Sequence, residues 1–518
     1  MSLLKRSALP ISVLLAVLSV ACGGGGGVNV NPPPPAAKFS NASLSGQYAF
    51  SMSGTELCAT SSGNQASFFT RVGTFFVDGH GNVTGGLEDV NVCTGVLTLQ
   101  FTGGTYSIGG DGRGTLRLTN SSGSTNYSIA LSTSSQGSIT QMDGTVTANG
   151  SFQRQNIGAF SDPAIAGGYV FDFNGVEVSG SVANPASYIG RFDSDGKRGI
   201  FNGLFDSNIG GVLSGQQAFA PGAFYQLDTN GDGTTYGRGT ATIAGQPFAF
   251  YIVDATRIKF IGTAFPSALV GEAFAQQNIA FTPASLNLSF AFSIGGSSTA
   301  GPIATAGRFT ADGVSTISNV VADENNNGTT TLLPKGTITV SYTVDSNQFG
   351  GGTLTWTDSG IPGSFNFIFY LISPTQAVFQ ETDTNIVSDG SFSAQTTTPI
   401  TLASMAGDYT LSWTGFSNRG FEEDFVGQLT LTSSGNFSGL MDFNQFSLTT
   451  TTQVSNAVIN GSLNLSGDGS GASTFTVNET SPPDTFQFTA YVVNQNTVLL
   501  VGSHTNGALI VGRLVRQP

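Results

Sequence analysis

The sequence predicts an all-β protein made of four tandem antiparallel domains. Two features of the composition favour strands and turns over helices. Glycine contributes 70 of the 518 residues, and only 10% are charged, so the residues that usually cover exposed helices are scarce. The third observation is an internal repeat with a period of about 120 residues. Hydrophobic residues make up 39% of the chain, enough for several small cores, so we do not expect disorder.

The repeat is visible in four columns of residues that recur in the same order. They are an aromatic residue near the start of a strand, a glycine in the next apolar run, an Asp-x-Asn motif and a Gly-x4-Gln motif. Agreement at a near-constant period indicates four copies of one unit. The columns comprise Tyr48, Tyr169, Phe290 and Tyr409; Gly73, Gly190, Gly307 and Gly427; Asp89 and Asn91, Asp206 and Asn208, Asp323 and Asn325, Asp442 and Asn444; and Gly150 and Gln155, Gly271 and Gln276, Gly390 and Gln395, Gly512 and Gln517.

We interpret the last two columns as structural. Asp and Asn side chains bond nearby backbone groups and tolerate tight turns, so a shared strand end would select them in every repeat. The Gly-x4-Gln motif is typical of a closing strand in which glycine permits close packing. The copy at Asp323 and Asn325 lies in the most polar segment and is the copy best suited to hold a ligand.

The repeats also define the domain organisation. In each one, short apolar runs alternate with glycine-rich turns, which predicts about eight strands in an antiparallel meander. Such a sheet removes its exposed edges by closing into a barrel. We expect β domains over residues 41–156, 160–277, 282–396 and 402–518.

This arrangement resembles the up-and-down barrels of the lipocalin and avidin kind, in architecture only. The resemblance rests on strand number and order, and it implies an interior just wide enough for side chains or one small ligand. A β-sandwich is the alternative. The sixth strand, clearest at residues 365–372, is apolar on both faces in three copies, whereas a half-exposed strand alternates. Either its outer face packs on a neighbouring repeat or the units are sandwiches.

The N-terminal segment is typical of an exported protein. Lys5 and Arg6 precede an apolar stretch at residues 11–20, which is shorter than the about 20 residues that span a bilayer and fits a signal peptide. The stretch ends in LSVAC, which resembles the lipobox of bacterial lipoproteins with its leucine one position early. The resemblance implies a signal peptide over residues 1–21, cleavage before Cys22 and lipidation of that cysteine.

A linker follows the cysteine. Residues 22–40 contain a run of glycines and then a run of prolines, which behave as a flexible and then a stiff tether. Multiple acyl chains give stable anchoring. Residue 23 is glycine rather than aspartate, which in a cell with two membranes resembles the sorting state for the outer one. We therefore expect a membrane-anchored lipoprotein of the bacterial cell envelope, in the outer membrane or at the cell surface.

The net charge restricts the partners. It is −14, and an acidic surface repels nucleic acids, so we expect none as a partner. The remaining candidates are the membrane, through the lipid anchor, and a surface protein or carbohydrate.

Two groups of residues are candidates for bonds of their own. Cys58 and Cys93 lie in the first repeat, and an exported location permits a disulfide between them. Asp228, Asn230 and Asp232 match the opening D-x-N-x-D-G of a calcium loop, in which alternate oxygen side chains converge on one cation. The twelfth residue of that loop is glycine instead of glutamate, so a polar hairpin turn is the alternative.

Catalytic groups are sparse. The chain has 2 histidines, in different repeats, and no Gly-x-Ser-x-Gly motif, which leaves little material for a Ser-His-Asp triad or a histidine zinc site. We interpret the carboxylate cluster of Glu422, Glu423 and Asp424 as a solvated turn. We expect Trp356 and Trp413 to fill cores.

These features favour a non-enzymatic, envelope-anchored lipoprotein whose tandem domains act as a stalk or as a binding and display surface. The first alternative is a carrier of small apolar ligands, because the chain contains 40 phenylalanines that would line hollow barrels. A carrier requires an open cavity in at least one repeat, whereas a stalk requires filled interiors. The second alternative is an enzyme with a site between repeats. We expect no cofactor, with calcium the exception.

Overall fold

A computed structural model describes residues 38–518, with gaps at residues 62, 362, 397–398, 418–420, 450, 479–483 and 503–508. Cys22 and the predicted signal peptide lie outside the described residues. Ala37–Pro518 forms one compact unit. Its strands are grouped in four antiparallel sheets, and its described α-helices have five residues at most, so the predicted all-β class is confirmed. Short 3-10 helices lie at Asn41–Ser43, Ile157–Ala159, Asp162–Ile165 and Pro283–Ser285.

Unit 1 is a closed eight-stranded barrel. Each strand pairs with the next along the chain, and the last returns to pair with the first. Its strands are β1 (Ser45–Thr60), β2 (Gly63–Asp78), β3 (Asn82–Val92), β4 (Gly95–Ile108), β5 (Arg113–Asn120), β6 (Gly123–Thr133), β7 (Gln136–Asp143) and β8 (Val146–Arg154).

Unit 2 is an open, nine-stranded version of the same sheet. Its fourth and fifth strands form the two edges of the sheet and do not pair with each other. The strands are β9 (Gly167–Ser179), β10 (Val182–Ser194), β11 (Ile200–Ile209), β12 (Val212–Ala218), β13 (Tyr225–Leu227), β14 (Arg238–Ile243), β15 (Gln246–Asp254), β16 (Arg257–Gly262) and β17 (Ala268–Ala275), with helix α1 (Asp232–Tyr236) before β14.

Units 3 and 4 close again. In unit 3 the third strand pairs with both the second and the fifth, which closes a barrel of eight strands. Among the described strands, the fourth pairs only with the third and lies outside that barrel. The strands of unit 3 are β18 (Ser289–Ser298), β19 (Gly301–Ala311), β20 (Thr316–Asn326), β21 (Thr329–Leu333), β22 (Ile338–Val344), β23 (Gly351–Asp358), β24 (Ser364–Ser373), β25 (Gln376–Glu381) and β26 (Ile386–Ala394).

Unit 4 repeats the closed barrel of unit 1. The predicted eight-stranded barrel is thus confirmed in three units, while unit 2 is its opened form. The strands of unit 4 are β27 (Gly407–Phe416), β28 (Glu422–Leu431), β29 (Asn436–Gln445), β30 (Thr452–Leu463), β31 (Ser470–Val477), β32 (Asp484–Asn494), β33 (Thr497–Gly502) and β34 (Leu509–Arg516), preceded by helix α2 (Leu402–Met405).

The barrel interiors are packed with aromatic rings. The first recurring column, Tyr48 and its three counterparts, is buried in the cores because alternate residues of a strand point inward. The tryptophans Trp356 and Trp413 also lie in the cores. The second column is explained by close approach of strands: a Cβ atom on Gly73 would lie 2.5 Å from the backbone oxygen of Leu87.

The four units form a ring, because each packs against the next and the fourth packs against the first. We name the contacts seams 1–2, 2–3, 3–4 and 4–1 after the units they join. A backbone hydrogen bond crosses each one, from Asn156 to Val253, from Gln277 to Ile372, from Thr396 to Val493 and from Thr451 to Gly144. The four tandem repeats thus form one closed assembly.

Candidate ligand-binding chamber

The Asp-x-Asn column joins neighbouring units. Each of the four asparagines is buried and donates its side-chain amide to backbone carbonyls across a seam. Asn91 donates to Gly262 at 3.1 Å and to Ser267 at 2.7 Å. These bonds lead to another unit, and not to nearby backbone as a strand end would require. The counterparts are Asn208 to Glu381 and Ile386, Asn325 to Gly502, and Asn444 to Gln141 and Val146.

The Gly-x4-Gln column does the same. Gln155 donates to the carbonyl oxygens of Tyr236 at 3.0 Å and Ile252 at 2.6 Å, in unit 2. The last copy returns from unit 4 to unit 1, so the same device closes the ring. The counterparts are Gln276 to Phe349 and Leu371, Gln395 to Val492, and Gln517 to Asp111 and Leu131.

The aspartates of the column accept from the neighbouring unit. Asp89 accepts from the Tyr251 hydroxyl at 2.7 Å and from the Arg238 guanidinium at 2.7 Å. Burial raises the pKa of the next copy, Asp206, to about 6. The other copies are Asp206 with Tyr370 at 2.7 Å, Asp323 with Tyr491 at 2.5 Å, and Asp442 with Arg113 at 3.6 Å.

Cavities inside the barrels are small. The apolar cavity in unit 3 has a volume of about 40 Å³, and the one in unit 2 about 20 Å³. A single water needs roughly 10–15 Å³ measured in this way, and small-molecule sites have about 300–1,000 Å³. Neither of these two cavities has the volume that a carrier of apolar ligands requires, whereas an open cavity of about 380 Å³ at the edge of unit 2, lined by Phe201, Phe219 and Phe349, does.

A cavity of suitable size lies between the units. Its volume is about 420 Å³, it is open to solvent, and residues of all four units line it. We call this cavity the chamber. Two positions of the repeat supply most of its polar wall, because they lie on the strand face opposite to the core. They are Ser51, Ser293 and Ser412, three residues after the aromatic column, and Ser151, Glu272, Ser391 and Arg513, directly after the glycine of Gly-x4-Gln.

A buried lysine supports one wall of the chamber. The Lys259 side chain is fully buried, and its Nζ donates to Ser51 Oγ at 2.8 Å, to Ser151 Oγ at 3.4 Å and to Glu272 Oε1 at 2.5 Å. Burial lowers the pKa of Lys259 to about 8. Burial acts against ionisation of Glu272, but the charges of Lys259 and Arg257 prevail and hold its pKa at about 2.

An arginine faces the same space. Arg513 is exposed in the chamber and forms no ion pair or hydrogen bond with any described residue. Desolvation by the surrounding protein and the nearby charge of Arg257 lower the pKa of Arg513, against the opposing charge of Glu272. Three cations therefore surround one carboxylate, that of Glu272.

An acid pair lies close to this cluster, at seam 2–3. Asp389 accepts from Asn174 Nδ2 at 3.0 Å and is hydrogen-bonded to Asp172. Burial raises the pKa of both acids, and the charge of Asp389 raises the pKa of Asp172 further. Ionisation of both acids at once is therefore disfavoured.

The predicted cysteine pair is joined in the structure. Cys58 lies in β1 and Cys93 directly after β3, with an S–S distance of 2.28 Å and a Cα–Cα distance of 6.3 Å. Glu56 lies beside the sulfurs and accepts from the backbone amide of Cys93 at 2.5 Å. The disulfide fastens the end of β1 to the turn after β3.

The predicted calcium ligands have partners within the chain. Asp228 pairs with Arg238, and Asn230 donates to Asp232 at 2.8 Å, where helix α1 begins. Two of the three side chains are thus directed to each other and the third to a guanidinium. Calcium binding stays a prediction, which calorimetry on the full chain tests; no heat at millimolar calcium would contradict it.

The carboxylate cluster of Glu422, Glu423 and Asp424 is not a solvated turn, and that interpretation was wrong. The three residues lie in β28 at seam 4–1, where Asp424 is fully buried and accepts from Thr147 at 2.8 Å. Glu422 accepts from Thr55 of unit 1. Burial raises the pKa of Asp424 to about 7. Burial also raises the pKa of Glu422 above its usual range. The available signal was the apolar strand that continues directly after Asp424.

Comparison with known proteins adds little to this geometry. No protein-family model and no curated protein matches the chain. Transferrin binding protein B from serogroup B Neisseria meningitidis aligns with 11% identity and a TM-score of 0.19 over 74% of this chain and 85% of its own. A variant of transferrin binding protein B from Haemophilus parasuis Hp5 aligns with 12% identity and a TM-score of 0.20, over 74% of this chain and 84% of its own. Similarity at this level carries no conclusion about function.

The described residues were also searched for membrane-spanning helices. None of their helices has the length and hydropathy needed to cross a bilayer.

Proposed function

We propose that this protein is a lipid-anchored, non-enzymatic component of the bacterial cell envelope that displays its four-unit ring as one rigid binding module. The observation that carries the proposal is the closure of the ring. Asn444 and Gln517 of unit 4 hold unit 1 with the same hydrogen bonds that hold consecutive units together. A closed ring presents fixed outer faces and a fixed central chamber, which suits binding.

The chamber also bears on the enzyme alternative, because polar groups do converge there. The one carboxylate among the described lining groups, Glu272, is however neutralised by Lys259 and Arg257. Among the described residues that line the chamber, none is a histidine or a cysteine. His80 lies in an exposed turn, bonded to Asp78. The serines of this lining therefore have no described histidine beside them to act as a general base.

The tether supports display at a distance from the membrane. Residues 23–36 of the linker would reach roughly 50 Å if extended. The compact unit begins at Ala37, within the last part of this linker. The partners that fit an exposed, acidic ring of this kind are a surface protein or a carbohydrate.

The anchor is tested by metabolic labelling. The full-length gene is expressed in a two-membrane bacterium fed an alkyne-labelled fatty acid, and the envelope is fractionated. We expect wild type to carry the label and to sediment with outer membranes, and Cys22→Ser to lose both properties. Ala21→Gly, which keeps a small residue before the cysteine, is the matched control. Label on Cys22→Ser, or unlabelled soluble wild type, would contradict the proposal.

A further inference from the structure

We propose that the chamber binds a small polyhydroxylated anion, of the chemical class of the sugar acids. The inference deepens the proposed binding role and rests on the closed ring that creates the chamber. Its volume of about 420 Å³ lies within the about 300–1,000 Å³ typical of small-molecule sites.

The charge of the wall selects an anion. The chain as a whole has a net charge of −14, yet Lys259, Arg257 and Arg513 interact with a single carboxylate, Glu272, on this side of the chamber. Glu272 already accepts from Lys259 and Arg257. Arg513 therefore keeps its five N–H donors for a ligand, and a guanidinium binds a carboxylate through two parallel hydrogen bonds.

The nearby acid pair does not cancel this charge. Burial raises the pKa of both Asp172 and Asp389, which disfavours two full negative charges on the pair, and Asn174 donates to Asp389. Three cations face the single carboxylate of Glu272 beside the chamber. Enclosure in a low-dielectric wall strengthens the attraction of these cations for an anion.

The hydroxyl groups select a ligand with hydroxyls of its own. Ser53, Ser293 and Ser391 line the chamber, and none of the three donates to a described residue of the chain. A serine hydroxyl both donates and accepts, as a sugar hydroxyl does. Asn149 and Asn174 also line the chamber, but their amide groups donate to other residues of the protein, so the serines carry the hydroxyl recognition. One carboxylate on Arg513 and several hydroxyls on the serines describe a sugar acid.

The test is calorimetric titration of the full-length protein in detergent at pH 7. Three probes separate the features: galacturonate has a carboxylate and hydroxyls, galactose has the hydroxyls alone, and inorganic phosphate has charge without a sugar ring. We expect galacturonate to bind at least tenfold more tightly than galactose or phosphate.

Variants locate the site. Arg513→Gln is expected to weaken galacturonate binding tenfold or more and to leave galactose unchanged. Arg117→Gln removes an exposed arginine of unit 1 that does not line the chamber and is expected to change nothing. Ser391→Val reduces the hydroxyl wall and is expected to weaken both sugars. Thermal unfolding of each variant, followed by circular dichroism, shows whether it is folded.

Several results would overturn the inference. If galactose and galacturonate bind equally tightly, the chamber does not select an anion. If phosphate binds more tightly than galacturonate, the chamber does not select a sugar. No binding of any probe, or galacturonate binding that is the same in folded Arg513→Gln, removes the chamber as the site. These outcomes are independent of the anchor, because labelling of Cys22 is measured separately. An acylated protein that binds no probe refutes the chamber as a binding site alone. A protein that binds galacturonate but carries no acyl label refutes the anchor alone.

Discussion

Seams 1–2, 2–3 and 3–4 differ from seam 4–1 in the chemistry of their contact. In the first three seams, one buried tyrosine packs into an apolar cluster of the preceding unit. It lies on the outer face of the sixth long strand and is Tyr251 in unit 2, Tyr370 in unit 3 and Tyr491 in unit 4. The corresponding residue in unit 1 is Ala130, since it pairs with Arg113 as Tyr251 pairs with Arg238. Seam 4–1 therefore has no aromatic anchor at this place.

Hydrogen bonds replace apolar contact in seam 4–1. Asn149 donates to the carbonyl oxygens of Trp413 at 3.1 Å and Phe425 at 3.2 Å, and it accepts from Ser412 at 3.0 Å. The net contribution of a typical hydrogen bond is about 0.5–1.5 kcal/mol, whereas burying one large apolar side chain gives about 1.5–3 kcal/mol.

The polar seam is also the one without a covalent link. Seams 1–2, 2–3 and 3–4 join units that follow each other in the chain, whereas seam 4–1 joins the two ends. It can therefore separate while every barrel stays folded. The comparison indicates that the ring opens first at seam 4–1, which also gives access to the chamber.

The largest expected effect is at an apolar seam. Tyr251→Ala removes a fully buried ring and its bond to Asp89, and we expect it to destabilise the protein by about 3–5 kcal/mol in urea unfolding. Tyr251→Phe keeps the aromatic ring, and Asp89 still accepts from Arg238. We therefore expect this variant to lower the free energy of unfolding by only about 1 kcal/mol. Equal losses in the two variants would show that packing is not what holds seam 1–2.

A smaller effect, but a sharper contrast, is expected from the docking asparagines. Asn444→Ala and Asn91→Ala each leave backbone carbonyls without a donor, which destabilises by about 1–3 kcal/mol. Only Asn444→Ala should open the ring, because seam 1–2 retains its apolar cluster. Hydrogen exchange of β8 and β29 and an increased radius of gyration in solution scattering would report the opening. The same opening in Asn91→Ala would remove the distinction between the seams.

The buried acids predict a pH dependence of seam 4–1. The pKa of Asp424 is raised by burial to about 7, well above the about 3.9 of an unfolded aspartate. Between these values the folded protein holds a proton that the unfolded chain has lost, so stability falls as pH rises from about 4 to about 7. Glu422 acts in the same direction.

The pH effect is measured as a difference between proteins, because Asp206 at seam 2–3 also has a raised pKa. Urea unfolding of wild type and Asp424→Asn at pH 5 and pH 8 is expected to show a smaller loss of stability in the variant. Identical losses would mean that Asp424 is ionised in the folded protein.

The smallest expected effect comes from the rim of seam 4–1. Lys38 pairs with Asp408 at 2.8 Å but is partly exposed, and exposed ion pairs contribute about 0–1 kcal/mol. We expect Lys38→Ala to lower the free energy of unfolding by less than about 1 kcal/mol and to raise hydrogen exchange slightly at β27. Arg198→Ala, which breaks a similar exposed pair within unit 2, is the control and should leave β27 unchanged.

The outer face of the sixth strand was the best signal for the ring in the sequence. Its apolar character at residues 365–372 indicated either contact with a neighbouring repeat or a β-sandwich, and Tyr370 and Ile372 pack on unit 2. The recurring asparagines were visible too, but their partners were not, because Asn444 bonds to Val146, far away in the chain. Glu422 and Asp424 misled us, since adjacent carboxylates are usually solvated and only a partner surface can bury them.

The sequence by itself determined the four tandem antiparallel β units. Most strands pair with the next one along the chain, so alternation, turns and the repeat period contain the information that specifies them. Only the tertiary structure decided that the barrels close into a ring, that one seam is polar and that a charged chamber lies between them. These properties depend on which outer faces meet after folding. The asparagines and glutamines of the seams recur with the repeat period, but that period does not specify the residues that they contact in another unit.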